Sequence, residues 1–293
     1  MADASAGRPP LVRLSVMMFL QYAIWGAWLP ILYPYLLGHV GFSQGEVGAI
    51  FSVSAVGAII GPFLAGQFAD RRYATEGFLA ASHLVGAVLA WFLSSTTAFV
   101  PFLAIALLYG IVYAPTIALT NSLAFHHIAD RDRDFGRVRV WGTVGWIAAG
   151  IGFGHFLGAF HTPDGAAEVV AAAQDAGRSD AFRLSALLGV LMAAYCLTLP
   201  HTPPAAGAGE RNATFEALGE AKRQPLLTLF LLAVPVSIIH QFYFVHTADF
   251  LSELQLRVAG VSEVSDSINA IFGVGGGGLM TIGQMVEIAV LAT

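Results

Sequence analysis

The stretch "LPHTPPAAGAGERNATFEALGEAKRQP", residues 199–225, divides this 293-residue sequence into two unequal parts. It is rich in Pro, Ala, Gly and charge, the composition of a linker rather than of a packed element. Before it lie apolar runs at roughly 12–38, 46–69, 77–96, 98–122, 139–160 and 181–200. After it lie two more, at roughly 225–250 and 268–293. A helix needs about 20 apolar residues to cross a bilayer core. The runs therefore predict an all-α membrane protein with six spans ahead of the linker and two behind it. The third and fourth runs are separated only by "SSTTA" (94–98), a tight turn.

Composition agrees with lipid as the solvent. Hydrophobic residues make up 56% of the chain, charged residues 11%, and the mean hydropathy is +0.70. A soluble domain carries about a quarter charged residues. The single cysteine, Cys196, excludes an intrachain disulfide. Nothing has the basic footprint of a nucleic-acid binder. The first apolar run, Leu14 to Leu37, is longer than the core of a signal peptide and reads as a retained first helix.

Basic residues orient the chain. With the N-terminus inside, the cytoplasmic segments hold eleven of the 14 Lys and Arg residues: Arg8, Arg13, Arg71, Arg72, Arg131, Arg133, Arg137, Arg139, Arg211, Lys222 and Arg223. The outer segments hold three, Arg178, Arg183 and Arg257. The N-terminus is expected in the cytoplasm, in the cytoplasmic (inner) membrane. Residues 1–200 then form a six-helix bundle, 201–224 a cytoplasmic linker and 225–293 the start of a second bundle. The last helix ends in "VEIAVLAT" without basic anchors, which suggests a fragment.

Several polar residues interrupt the apolar runs in helical register. Gln21, Trp25 and Trp28 fall at i, i+4 and i+7 and predict one face, with an amide for hydrogen bonding and indoles to stack on a flat ring. Arg139, Thr143 and Trp146 repeat that spacing. Arginine near a helix end commonly snorkels to the headgroups, yet Thr143 and Trp146 extend the stripe inward. Gln284 and Glu287 sit at i and i+3. Glu287 is the one acidic residue well inside an apolar run, where a charge is costly and asks for a role. No metal-ligand spacing, nucleophile–base arrangement or phosphate loop is present, so neither cofactor nor metal is expected, and no enzymatic reaction.

"GQFADRRYATEG" (66–77), between helices two and three, resembles the G-x-x-x-D-R signature of the major facilitator superfamily. "FLQYAIWGAW" (19–28), "VYAPTIALTNSLAF" (112–125), "RVWGTVGW" (139–146), "LTLPH" (197–201), "HQFYF" (240–244) and "GQMVE" (283–287) are similar, in order, to the nucleoside:proton symporter family of that superfamily. The resemblance covers nearly the whole chain. It implies proton-coupled uptake of a nucleoside or a similar small polar, ring-bearing solute, bound near the midplane between two bundles. Gln21, Trp25, Trp28, Arg139, Thr143, Trp146, Gln241 and Gln284 would contact substrate. Glu287 would carry the proton, and Gly66, Asp70 and Arg71 would work the inner gate. Where the family pattern expects an amide three residues after Gln241, this chain has Phe244, which puts the substrate's identity in question. A carrier of another solute, sugar or organic anion, and a non-transporting receptor or scaffold are the alternatives.

Overall fold

A computed structural model describes residues 10–53, 55–57, 73–203 and 223–291. Helix α1 (Leu11–Trp28) runs on through a tight turn at Leu29–Ile31, a short helical piece at Leu32–Pro34 and a wide turn at Tyr35–Val40. Pro30 and Pro34 lack the N–H that a regular helix needs there, and the backbone changes pitch around them. Gly41, at φ 76°, ends the segment in the left-handed region. Helix α2, described over 44–53 and 55–57, begins at a reciprocal cap. The Ser43 amide donates to the Glu46 carboxylate at 2.8 Å, and the Glu46 amide returns to Ser43 Oγ.

Helices α3 (Thr75–Leu93) and α4 (Phe99–His127) flank the 94–98 turn, where Ser94, Ser95 and Thr96 hydroxyls donate to carbonyls of the last turn of α3. Helix α5 spans Arg131–Phe160, with Asp130 as its cap, accepting from the Arg133 amide. Its apolar run starts only at 139, so the helix begins eight residues earlier than hydropathy suggests. A good N-cap and an acidic first turn extend it into the polar zone. Helix α6 (Ala167–Gly177) occupies what reads in sequence as a loop, and α7 (Ser179–Cys196) follows it directly.

Helix α8 (Leu226–Val258) outlasts its apolar run by eight residues. The expected final span is two pieces, α9 (Glu263–Phe272) and α10 (Gly277–Leu291), bent by 75°. The run 268–293 conceals this break because its glycines look merely apolar. Gly273, Gly275 and Gly276 all take positive φ, which ends the helical ladder. Gln255 of α8 pins the break, donating to the Gly273 carbonyl at 2.8 Å and accepting from the Gly276 amide at 2.9 Å. Six described helical segments are long and apolar enough to cross a membrane, seven if the bent pair counts as one. The run 46–69 lies partly outside the described residues.

Small residues bring the helices together, as expected in lipid. A Cβ on Gly26 of α1 would come within 2.9 Å of the Trp146 backbone on α5, and one on Gly145 would strike the Phe19 carbonyl. The backbones of α1 and α5 are therefore in direct contact. Helices α3 and α7 meet at Gly189 and Ala87.

The connections 41–43, 94–98, 161–178 (with α6) and 259–276 (with α9) mark one end, here the far end; the opposite one is the N-terminal end. Residues 223–291 join 10–203 most firmly at the far end. Arg178, only 3% exposed, pairs with Asp175 and donates to Ser252 Oγ of α8 at 2.9 Å. The Val274 amide donates to the Gly154 carbonyl at 3.1 Å, and His155 Nε2 lies 3.2 Å from the Ile271 carbonyl.

Candidate functional site

A cavity of about 300 Å³ lies where α1, α5, α8 and α10 converge. Helix α1 contributes Tyr22, Trp25 and Leu29, and α5 contributes Arg139, Thr143 and Trp146. Helix α8 brings His240, Gln241 and Phe244, and α10 brings Gln284 and Glu287. The polar residues come from three separate helices and meet across an aromatic floor. Trp25 and Trp146 stand edge-to-face at 5.7 Å, and Trp146 meets Phe244 at 5.5 Å. Phe244 also packs on His240, 4.6 Å between centroids.

Hydrogen-bonding capacity is left unused. Trp146 Nε1 and Gln284 Oε1 are buried without a partner. Such groups are costly to leave unpaired, and in a binding site they are the ones a ligand can satisfy. Among the described residues His240, Gln241 and Glu287 are exposed, whereas Thr143, Trp146 and Phe244 are buried, so the cavity has one exposed side and one buried side. Tyr243 ties α8 to α10 by donating to the Met280 carbonyl at 3.1 Å.

Seven residues that the sequence singles out come together here: Trp25, Arg139, Thr143, Trp146, Gln241, Gln284 and Glu287. Gln21 and Trp28 do not join them. Gln21 is buried on the other flank of α1, donating to Thr116 Oγ1 of α4 at 2.8 Å while its carbonyl accepts from the Tyr113 hydroxyl. Trp28 packs on Tyr109 and Phe182, each 5.6 Å away. Helical geometry accounts for this correction. At about 100° per residue, positions 21 and 28 lie 40–60° to one side of Trp25, and positions 22 and 29 lie as far to the other. The cavity faces the second pair, so Tyr22 and Leu29 line it.

Sequence inspection passes over Tyr22, Leu29, His240 and Phe244 as lining residues. Tyr22 and Leu29 share a stripe with Trp25 at i−3 and i+4, but spacing alone does not choose that flank over Gln21 and Trp28. Gly66, Asp70 and Arg71 lie outside the described residues. Among the described residues no group of three His, Cys, Asp or Glu could hold a metal ion.

Known proteins are similar to this chain in sequence and fold. The family model described as "Nucleoside H+ symporter" matches residues 10–293. The putative nucleoside transporter YegT of Escherichia coli is 34% identical over 94% of the chain and 59% of its own length. The nucleoside permease NupG of E. coli is 24% identical over 88% of the chain and 63% of its own length. The chain thus spans about three-fifths of these relatives. A crystal structure of a NupG point mutant superposes with a TM-score of 0.76 at 23% identity, covering 97% of this chain and 66% of that one. That likeness establishes an all-α fold of the major-facilitator type. The chain belongs to the nucleoside H+ symporter family.

Proposed function

We propose that the protein carries nucleosides, or similar small polar ring-bearing solutes, into the cell together with protons, and catalyses no chemical reaction. The observation that supports this best is the joining of Arg139, Thr143, Gln241, Gln284 and Glu287 around one cavity floored by Trp25, Trp146 and Phe244. A flat base suits the aromatic surfaces, and the hydroxyls and base edge suit the amides, threonine and guanidinium. A cavity near 300 Å³ is at the small end of ligand sites, about 300–1,000 Å³. Gln21 and Trp28 act behind the first layer, holding α1 against α4 and α7.

Residues 1–200 act as one bundle and 225–293 as the opening of a second, joined by 201–224. The N-terminal end faces the cytoplasm, in the inner membrane. Gly66, Asp70 and Arg71 serve the gate at that end. Glu287 exchanges the proton, on the exposed side of the cavity and one turn from Gln284.

Glu287→Gln in the full-length protein tests this reading, since glutamine keeps shape and polarity but does not titrate. In proteoliposomes with an inward proton gradient, the wild type should accumulate uridine and the variant should not. The variant should still exchange uridine across the membrane. Undiminished uphill uptake by Glu287→Gln would eliminate the proposal.

A further inference from the structure

Arg139 has one described neighbour that orients it. Its Cζ lies 4.1 Å from the centroid of the Tyr22 ring. Arg139 makes no hydrogen bond or ion pair among the described residues. The ring is itself seated in a slot. A Cβ on Gly142, three residues after Arg139 on α5, would come within 2.7 Å of Tyr22 Cδ2 and 2.8 Å of Arg139 Nη1. Only a residue without a side chain leaves room there for both the ring and the guanidinium. The contacts of Gly26 and Gly145 across α1 and α5 set the spacing that brings the ring to that slot.

A guanidinium carries its five N–H donors in one plane. At 4.1 Å from Cζ the ring restricts tumbling of the long side chain, and a guanidinium lying flat on it would keep that edge free. Stacking therefore orients the group without consuming its donors, which a carboxylate partner would do. Both Tyr22 and Arg139 line the cavity, so donors of the guanidinium are within reach of whatever occupies it.

We propose that Tyr22, seated on Gly142, is a positioning residue. It holds the Arg139 guanidinium flat, so that its N–H edge meets the hydroxyls or base edge of a nucleoside as a preset fork. This rests on the nucleoside reading of the cavity. The ring face carries the effect and the phenolic hydroxyl does not.

The test is uptake kinetics of the full-length protein in proteoliposomes, normalised to inserted protein, with uridine as the probe. Tyr22→Phe should keep KM within about twofold of wild type, because the face remains. Tyr22→Leu should raise KM about five- to tenfold with kcat within about twofold, the signature of lost binding rather than a damaged transport cycle. Gly142→Ala should raise KM by a similar factor with Tyr22 intact. Combined with Tyr22→Leu it should add nothing, since removing the ring makes room for the methyl. If Tyr22→Leu fails to reach the membrane, Tyr22→Met, which fills the space without a π face, supplies the comparison. An unchanged KM in the ringless variant would overturn the proposal, as would a loss in Tyr22→Phe equal to that in Tyr22→Leu. Wild type that does not take up or bind uridine, adenosine or xanthosine would instead sink the nucleoside reading. Normal wild-type uptake with a flat Tyr22 series would sink only this inference.

Discussion

The two ends of the seam between residues 10–203 and 223–291 are built differently. At the far end, the buried Arg178, one backbone hydrogen bond from Val274 to Gly154 and the His155 side chain against the Ile271 carbonyl join the segments, beside a glycine break that Gln255 pins from within α8. At the N-terminal end, residues 223–242 are exposed on every face. Among the described residues, several hydrogen bonds there close on the first segment itself: Arg13 to the Thr198 carbonyl, Thr75 to Thr202, and Glu76 to His201 and Thr202. The cavity lies between, with Trp146 and Phe244 buried and Gln241 and Glu287 exposed among the described residues. The asymmetry is thus held by a few identifiable bonds at one end, and it can be broken there.

The largest effect is expected from Arg178→Ala. Removing the buried Arg178 leaves the half-buried Asp175 without this partner and frees Ser252. With Leu29→Cys as a reporter in the cavity and Cys196→Ser to remove the native thiol, an impermeant maleimide added from the far side should react at least about tenfold faster once Arg178 is gone. Equal rates with and without Arg178 would show that other contacts hold the far end shut.

Gln255→Leu should act more modestly and more locally. It leaves the Gly276 amide and the Gly273 carbonyl without this partner, at about 1–3 kcal/mol for each unsatisfied buried group. Amide hydrogen exchange over 273–278 should quicken and the thermal midpoint should fall by several degrees. Exchange as slow as in wild type would mean that the glycine geometry holds the break unaided.

The smallest effect is expected from Glu253→Gln at the rim. Glu253 pairs with Arg257 at 3.1 Å, but their side chains are 61% and 75% exposed. Such a pair contributes about 0.3–0.5 kcal/mol. Labelling and stability should match wild type within error. A shift of more than about 1 kcal/mol would move the holding force from the buried bonds to the rim.

The order of helices, the α3–α4 turn and the stripe Arg139–Thr143–Trp146 were legible in the sequence because hydropathy and the 3.6-residue period report them directly. The start of α5 was not, since Arg131–Val138 is helical through its cap and tertiary contacts while its composition is polar. The α9–α10 break was hidden for the opposite reason: "GVGGGG" is apolar enough to continue a span, and its positive φ values follow from contacts with α5 and α8. Trp25 could be placed from spacing, but the choice between its two flanks could not. Which flank faces the cavity depends on where α4 and α7 pack, and that is tertiary information.

The close backbone contact of α1 and α5 has a consequence for how a ligand would be received. With Gly26 against Trp146 and Gly145 against the Phe19 carbonyl, these two helices have no freedom to slide or part without breaking steric contact. Trp25, Arg139, Thr143 and Trp146 therefore form a template whose geometry exists before anything binds. On the proposed reading, Gln241 and Glu287, on stretches of α8 and α10 that are exposed among the described residues, would be ordered as a ligand arrives. Immobilising each such side chain costs about 0.5–1.5 kcal/mol. The entropic penalty of binding then falls almost wholly on one half of the site, and the same half carries the carboxylate.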